Sequence, residues 1–326
     1  MAQIKKVGIL TSGGDSPGMN AAIRAVVRKA LTENLEIIGI IRGYEGLIKK
    51  EFIEMNSKSV ANIIQTGGTI LKTARSEDFK TEEGRKKAYE NLISENIDAL
   101  VVIGGDGTLR GARSLVEEYN YPVVGIPATI DNDLYGTDMT IGYDTALNTV
   151  MRAIDQIRDT AMSHDRMFFV EVMGRDAGFI ALHSCISCGA EAAVIPEVET
   201  DIDELHTKLL GYMNKKKTSS IIIVAEGEDA GGAFSIQEKL KEFGDHFDMK
   251  VTVLGHTQRG GSPTSYDRYL ASCLGIAAID ALLDDQRSIM VGMINNEIVH
   301  IPFNKTIKHH RTIDEKLLKI IDILNV

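Results

Sequence analysis

The chain of 326 residues has no tryptophan, six prolines and only 6% aromatic residues, and its cysteines are just Cys185, Cys188 and Cys273. Three cysteines are an odd number and give no disulfide framework, so the fold must be held by its own core. So few prolines beside 44% hydrophobic and 25% charged residues exclude a disordered, collagenous or linker-rich chain. No apolar run approaches the roughly 18 residues of a membrane helix, and the run at 7–10 is too short for a signal peptide, so a cytoplasmic protein is expected. Basic charge is also scarce: 36 Lys and Arg against 46 Asp and Glu leave a net charge of -10, which disfavours nucleic acid and anionic membranes as partners. An anionic ligand therefore needs a local basic cluster. The length suits two domains of about 150 residues each.

What is present is an alternation of strand-like and helix-period runs almost from end to end, the signature of a doubly wound α/β protein. Strands are predicted at 6–10, 36–41, 99–103, 123–126, 167–172, 192–195, 220–225, 251–254 and 289–294. Several are continuous apolar runs, as sheets covered on both faces require, so mainly parallel sheets are expected. Helices are predicted at 20–32, 82–95, 109–119, around 147–157, and at 203–214, 234–242, 265–283 and 313–324. In the first of these Ile23, Val26, Val27, Ala30 and Leu31 share one face. Asn295-Asn296 reads as a hairpin turn, and residues 138–144 as a plausible crossing between halves. Cys185 and Cys188 form a C-x-x-C with His183 close by, but no second ligand pair follows and 176–188 reads as a helix; this favours buried, inert thiols over a metal site.

In open α/β sheets, ligands bind beyond the carboxyl ends of strands. Three loops at such ends stand out. Residues 11–20, T-S-G-G-D-S-P-G-M-N, offer side-chain-free amides at a helix N-terminus; Gly13 and Gly18 have Walker A spacing, but Met19 stands where that motif needs lysine, which excludes a P-loop. Residues 104–108, G-G-D-G-T, join close-approach glycines to a carboxylate suited to Mg²⁺, with Arg110 where a dinucleotide fingerprint needs its third glycine. Alone, this loop could simply be a tight strand-to-helix turn. Residues 127–133 carry Asp131 and Asp133, separated by Asn132, which alone could be an Asx-type turn with solvated carboxylates. Together, a glycine cradle, a metal carboxylate and a candidate base are the parts needed for phosphoryl transfer.

With V-M-G-R at 172–175 and G-H-T-Q-R-G-G-S-P at 255–263, these motifs resemble, in order and over almost the whole chain, the bacterial ATP-dependent 6-phosphofructokinase family. The resemblance implies two doubly wound, mainly parallel sheet domains: 1–142 with 258–308 for ATP, and 143–257 with 309–326 for fructose 6-phosphate. It implies transfer of the γ-phosphoryl group of ATP to the sugar 1-hydroxyl, the committed step of glycolysis, with Mg²⁺. Asp131 matches the general base, with Thr129 and Ile130 at the reacting end, Asp106 the metal carboxylate and Asp133 its support. Gly14, Arg75 and Arg175 match groups at the transferring phosphoryl, and Ser76, Gly105, Gly107 and Thr108 complete the ATP site. Met173, Gly174 and Glu226 match the sugar pocket, and Arg166, Lys250, His256, Thr257, Gln258 and Arg259 the 6-phosphate end.

In the family, Arg166 and the residue at Lys250 reach in from a neighbouring subunit, which implies a homotetramer with shared active and effector sites. Lys250 departs from the usual arginine; it keeps the charge but loses the bidentate fork, so weaker phosphate binding is expected. Gly107 and Ala128 replace an aspartate and a lysine typical of pyrophosphate-dependent relatives, which points to ATP. Arg24 and Arg28, i and i+4 on one helix, read alone as a solvated basic face, while Arg158 falls within an apolar stripe and suggests an interface partner. By resemblance these three, with Gly189, Glu191, Lys215 and Lys217, match a pocket for ADP or phosphoenolpyruvate; Ser57 and Thr218 replace basic residues there, so weak or altered regulation is expected. Two rivals remain: another G-G-D-G-T kinase class, which leaves 129–133 and 255–263 unexplained, and a sugar-phosphate sensor without turnover, against which Asp106 and Asp131 argue.

Overall fold

The computed structural model describes residues 4–164, 166–214, 219–244, 247–306 and 313–325. In chain order the elements are β1 (Lys6–Thr11), α1 (Met19–Thr32), β2 (Glu36–Ile40), α2 (Gly43–Lys49), β3 (Phe52–Glu54), α3 (Glu82–Ser94), β4 (Ala99–Gly104), α4 (Asp106–Tyr119) and β5 (Val123–Pro127). They continue with α5 (Tyr143–His164), β6 (Met167–Val172), α6 (Phe179–Cys188), β7 (Ala192–Val194), α7 (Ile202–Asn214), β8 (Ser220–Ala225), α8 (Gly232–Lys241) and β9 (Met249–Val253). The last are α9 (Ser265–Leu283), β10 (Ile289–Ile294), β11 (Glu297–Pro302), α10 (Phe303–Thr306) and α11 (Glu315–Leu324). Among the described residues no helix is long and apolar enough to cross a membrane.

The chain divides into two compact units. The first takes 1–130, 134–145 and 259–311; the second takes 131–133, 146–258 and 312–326. The first unit holds a seven-stranded sheet ordered β11-β10-β5-β4-β1-β2-β3, parallel through its interior and closed at each edge by an antiparallel strand. Alternate residues of one strand serve opposite cores. Ala99, Val101 and Ile103 of β4 join the cluster made with α1 and α9, while Leu100 and Val102 join the one made with α2, α3 and α4. This two-sided burial is why β4 reads as an unbroken apolar run. At the β10–β11 turn, Asn295 and Asn296 have φ of 51° and 64°, the left-handed pair a two-residue hairpin needs.

The second unit holds a four-stranded parallel sheet ordered β7-β8-β6-β9. Phe169, Ile222 and Val224 pack against Leu209 of α7 and Ile236 and Leu240 of α8. The short pair α2 and β3 escapes the apolar-period reading because the stretch is brief and glycine-broken. Gly46 is required there, since a Cβ would sit 1.6 Å from Ile41 O.

Candidate active site

In the first unit the carboxyl ends of β1, β4 and β5 lie side by side, which brings the first two loops and residues 127–130 of the third together. Thr108 Oγ1 donates to Ser12 O at 2.9 Å, and Tyr44 Oη donates to Thr108 O at 2.6 Å. Gly104 permits this closeness, because a Cβ there would lie 2.4 Å from both Ser12 O and Thr108 Oγ1. Gly105 lies against Thr129, which a Cβ there would meet at ordinary contact distance. Gly107 differs from both: a Cβ there meets nothing within 4 Å, so the space above the first turn of α4 is open. The helix begins three residues before the predicted start because Gly105, its N-cap, puts Asp106, Gly107 and Thr108 inside the first turn. The first glycine loop and the N-terminus of α4 thereby lie close together, and free amides at a helix N-terminus suit an anion.

Asp106 Oδ2 accepts from Arg110 Nε at 2.8 Å, an i,i+4 pair. Its Oδ1 is buried without a hydrogen-bond partner. A buried carboxylate oxygen facing no donor is costly unless a cation completes it, so this atom fits a metal ligand. No group of three or more His, Cys, Asp or Glu among the described residues could hold a metal, so a cation here would rest on Asp106, ligand phosphates and water.

Around this surface, Arg259 lies across the first loop: its guanidinium occupies the space a Gly14 Cβ would take and donates to Asp15 O at 3.2 Å. Arg75 is exposed. Ser76 Oγ donates to Glu45 Oε2 at 2.6 Å, so its hydroxyl pins the segment before α3 to α2. Thr129 and Ile130 are buried, and Thr129 O accepts from Thr140 Oγ1 at 2.6 Å. Asp131 follows Ile130 in the chain and is 7% exposed, next to Asn132, whose φ is 52°; Asp133 is half-buried.

In the second unit the carboxyl ends of β6 and β8 carry a second constellation. Met173 N donates to Oε1 of the fully buried Gln258 at 3.2 Å, and Arg175 N donates to Glu226 Oε1 at 2.9 Å. Gly174 has φ of 148° and Arg175 φ of 54°, a turn that leaves the Arg175 side chain exposed. His256 and Thr257 are exposed just before Gln258, and Thr257 Oγ1 donates to Leu254 O at 2.7 Å.

Arg166 and Lys250 are not with them. Each takes one oxygen of Asp248, at 2.8 and 2.7 Å, and hydrogen bonds to both cations pull that carboxylate below its ordinary pKa. Arg166 precedes β6 and Lys250 lies near the start of β9, whereas Met173 and Glu226 follow the far ends of β6 and β8. Six residues of strand separate the two groups by about 20 Å.

The Phosphofructokinase family model matches residues 6–282 of this chain. An ATP-dependent 6-phosphofructokinase 2 of Bacteroides thetaiotaomicron is 56% identical over 326 residues, covering all of both chains. An ATP-dependent 6-phosphofructokinase 1 of Thermus thermophilus is 53% identical over 321 residues, 98% of this chain and 99% of that one. The chain belongs to the phosphofructokinase family. Among solved structures, the phosphofructokinase of Saccharomyces cerevisiae superposes with a TM-score of 0.85 at 38% identity, covering 98% of this chain and 47% of the yeast one.

In this member of the phosphofructokinase family, Arg24 and Arg28 have no carboxylate partner among the described residues; partial burial and the Arg28 charge lower the Arg24 pKa. Arg158, for which an interface partner was expected, has one within its own unit: its Nη2 donates to Cys188 O at 2.7 Å and Gly189 O at 3.2 Å, closing the C-terminus of α6. Glu191 is 1% exposed, and its Oε2 accepts from Ile221 N at 2.5 Å, so the carboxylate is held inside the sheet edge. Lys215, Lys217 and Thr218 lie outside the described residues. Burial raises the thiol pKa of Cys185 to about 12 and of Cys188 to about 11, as expected of inert thiols.

Several residues that shape this phosphofructokinase surface were missed in the sequence. Tyr44 stacks on Phe79 with centroids 4.0 Å apart and supports Thr108; the one signal was Gly111 inside α4, which leaves room for its ring. Asp267 accepts three hydrogen bonds at the start of α5 and had no motif of its own.

Proposed function

We propose that the chain transfers the γ-phosphoryl group of Mg-ATP to the 1-hydroxyl of fructose 6-phosphate, giving fructose 1,6-bisphosphate and ADP in the cytoplasm. The observation that carries this reading is Asp106: a carboxylate oxygen buried without a partner, in the first turn of a helix whose next residue, Gly107, opens onto free space. Asp106 would hold Mg²⁺, which when bound offsets charge between the phosphates. The amides of Gly14 and Gly105, with the N-terminus of α4, bind and orient the triphosphate, and Arg75 and Arg175 take up charge on the transferring group. Asp131 accepts the proton of the attacking hydroxyl, an effect worth about 10²- to 10⁴-fold. Glu226 and Met173 hold the sugar, with Gln258 fixing the backbone at Met173.

The 6-phosphate needs concentrated positive charge. His256 and Arg259 supply part of it, and Arg166 and Lys250 of a second copy the rest, because within one chain the last two lie at the wrong end of the sheet. Full-length fructose 6-phosphate phosphorylation is tested by phosphorus NMR with Mg-ATP and, separately, with pyrophosphate. A new phosphomonoester signal is expected with ATP; product with pyrophosphate alone, or none with either, rejects the reading.

A further inference from the structure

Asp267 is fully buried, and its hydrogen bonds run to Gly142, Thr145 and Thr264 and not to the residues proposed for the reaction. Its Oδ1 accepts from Gly142 N at 2.8 Å; its Oδ2 accepts from Thr145 N at 2.8 Å and Thr145 Oγ1 at 2.5 Å. Gly142 and Thr145 bracket the first turn of α5, so the carboxylate caps that helix from outside. It also lies in the first turn of its own helix, α9, where its amide donates to the N-cap Thr264 Oγ1 at 3.3 Å. Two positive helix ends thus converge on one acid. An unpaired buried charge would be excluded here; this one is matched by three donors.

The clamped segment leads to the reacting end. Ile141 N donates to Pro127 O at 3.1 Å, Ile141 bridges Ala128, and Thr140 Oγ1 donates to Thr129 O. On its other side the segment supports the first glycine loop: Gly142 leaves no room for a Cβ beside Ser16, and Gly18 lies against Asp267 itself. The geometry points to Asp267 as a positioning residue for phosphoryl transfer, which as a carboxylate holds residues 140–145 and through them sets Thr129 and the 11–20 loop. This rests on the reading above and adds a residue that touches neither substrate.

The positioning requires an ionised acceptor, since a proton on either oxygen would face an N–H or O–H. Burial raises the Asp267 pKa to about 6, against the opposing pull of Thr145 and Gly142. The titratable and charged groups around it are Asp144 of α5, Asp138 in the preceding segment, and Tyr266 and Arg268 of α9. Arg268 is turned to Pro263 O and Ser262 Oγ, while Asp144 Oδ2 accepts from Thr264 Oγ1 at 2.5 Å. The α1 side presents Gly18 backbone.

The test compares wild type, Asp267→Asn and Thr145→Val as full chains, measuring kcat and KM against pH together with amide exchange at 140–145. Wild-type kcat is expected to fall as pH drops through about 6. Asp267→Asn should lower neutral kcat about 10- to 100-fold, the scale of a small misplacement of reacting groups, with less change in fructose 6-phosphate KM, and should lack that acid limb. Thr145→Val removes a bond to the ionised form and should move the limb to higher pH. A folded Asp267→Asn with wild-type kcat and limb overturns the proposal. If that variant does not fold, an unmoved limb in Thr145→Val overturns it alone. If the wild type turns over no fructose 6-phosphate, the functional reading fails, and exchange still decides: unchanged protection of Gly142 and Thr145 amides from pH 7.5 to 5 overturns the clamp, and loss of it supports the clamp.

Discussion

Two glycines three residues apart do opposite things, and only one of them is spent on folding. At Gly104 a Cβ would collide with the Ser12 carbonyl and Thr108, so any substitution forces β1 and β4 apart. At Gly107 the space is empty. Gly107→Asp is therefore expected to fold with an unchanged melting temperature while opposing ATP: a second carboxylate about 6 Å from a phosphate, at an effective dielectric near 20, costs about 2–3 kcal/mol, close to a hundredfold in KM for ATP. Steady-state kinetics beside a thermal melt check both halves. The sequence showed both residues as members of one G-G-D-G-T loop and so displayed the loop's identity well. It could not separate the glycine required by backbone approach from the one with open space around it. That difference depends on β1, about ninety residues away. Asp267 was illegible for the same reason: its partners, Gly142 and Thr145, are more than a hundred residues distant.

At the scale of elements, the long strands were legible because a strand buried on both faces has little choice but to be apolar throughout. Helix starts were less so. α4 begins at Asp106, where no apolar period exists, because its first turn holds Asp106, Gly107 and a Thr108 whose hydroxyl bonds the Ser12 carbonyl instead of packing in an apolar core. Close helix pairing was hidden as well. α1 and α9 meet at Gly275, where a Cβ would lie 2.6 Å from Ala25 Cβ and 2.9 Å from Ala22 O. Alanine normally favours a helix over glycine by about 1 kcal/mol, but overpacking against a backbone carbonyl costs about 3 kcal/mol, so the clash should win. Gly275→Ala is expected to lower stability by about 2 kcal/mol, read as a lower urea midpoint with an unchanged slope. Because α1 begins where the 11–20 loop ends, a loss of ATP affinity should accompany it.

For the whole molecule, the question is whether one chain completes the proposed site. Arg166 and Lys250 share Asp248 at one end of the second unit's sheet, while Met173, Arg175 and Glu226 lie beyond the other end, about 20 Å away along β6. No side chain spans that length, so either the two cations serve no substrate or they serve a neighbouring chain's substrate. The two alternatives separate in a mixing experiment. Asp131→Asn removes the base but keeps both cations; the double variant Arg166→Ala with Lys250→Ala does the reverse. Each alone should be nearly inactive. If a site pairs Asp131 of one copy with Arg166 and Lys250 of another, random reassociation of equal amounts should restore about one quarter of wild-type activity, since one of the four pairings in a closed symmetric assembly is intact. Activity that stays at the level of the separate variants, in mixtures shown by light scattering to have exchanged chains, would mean that each chain completes its own site and that the Asp248 cluster has only a structural role.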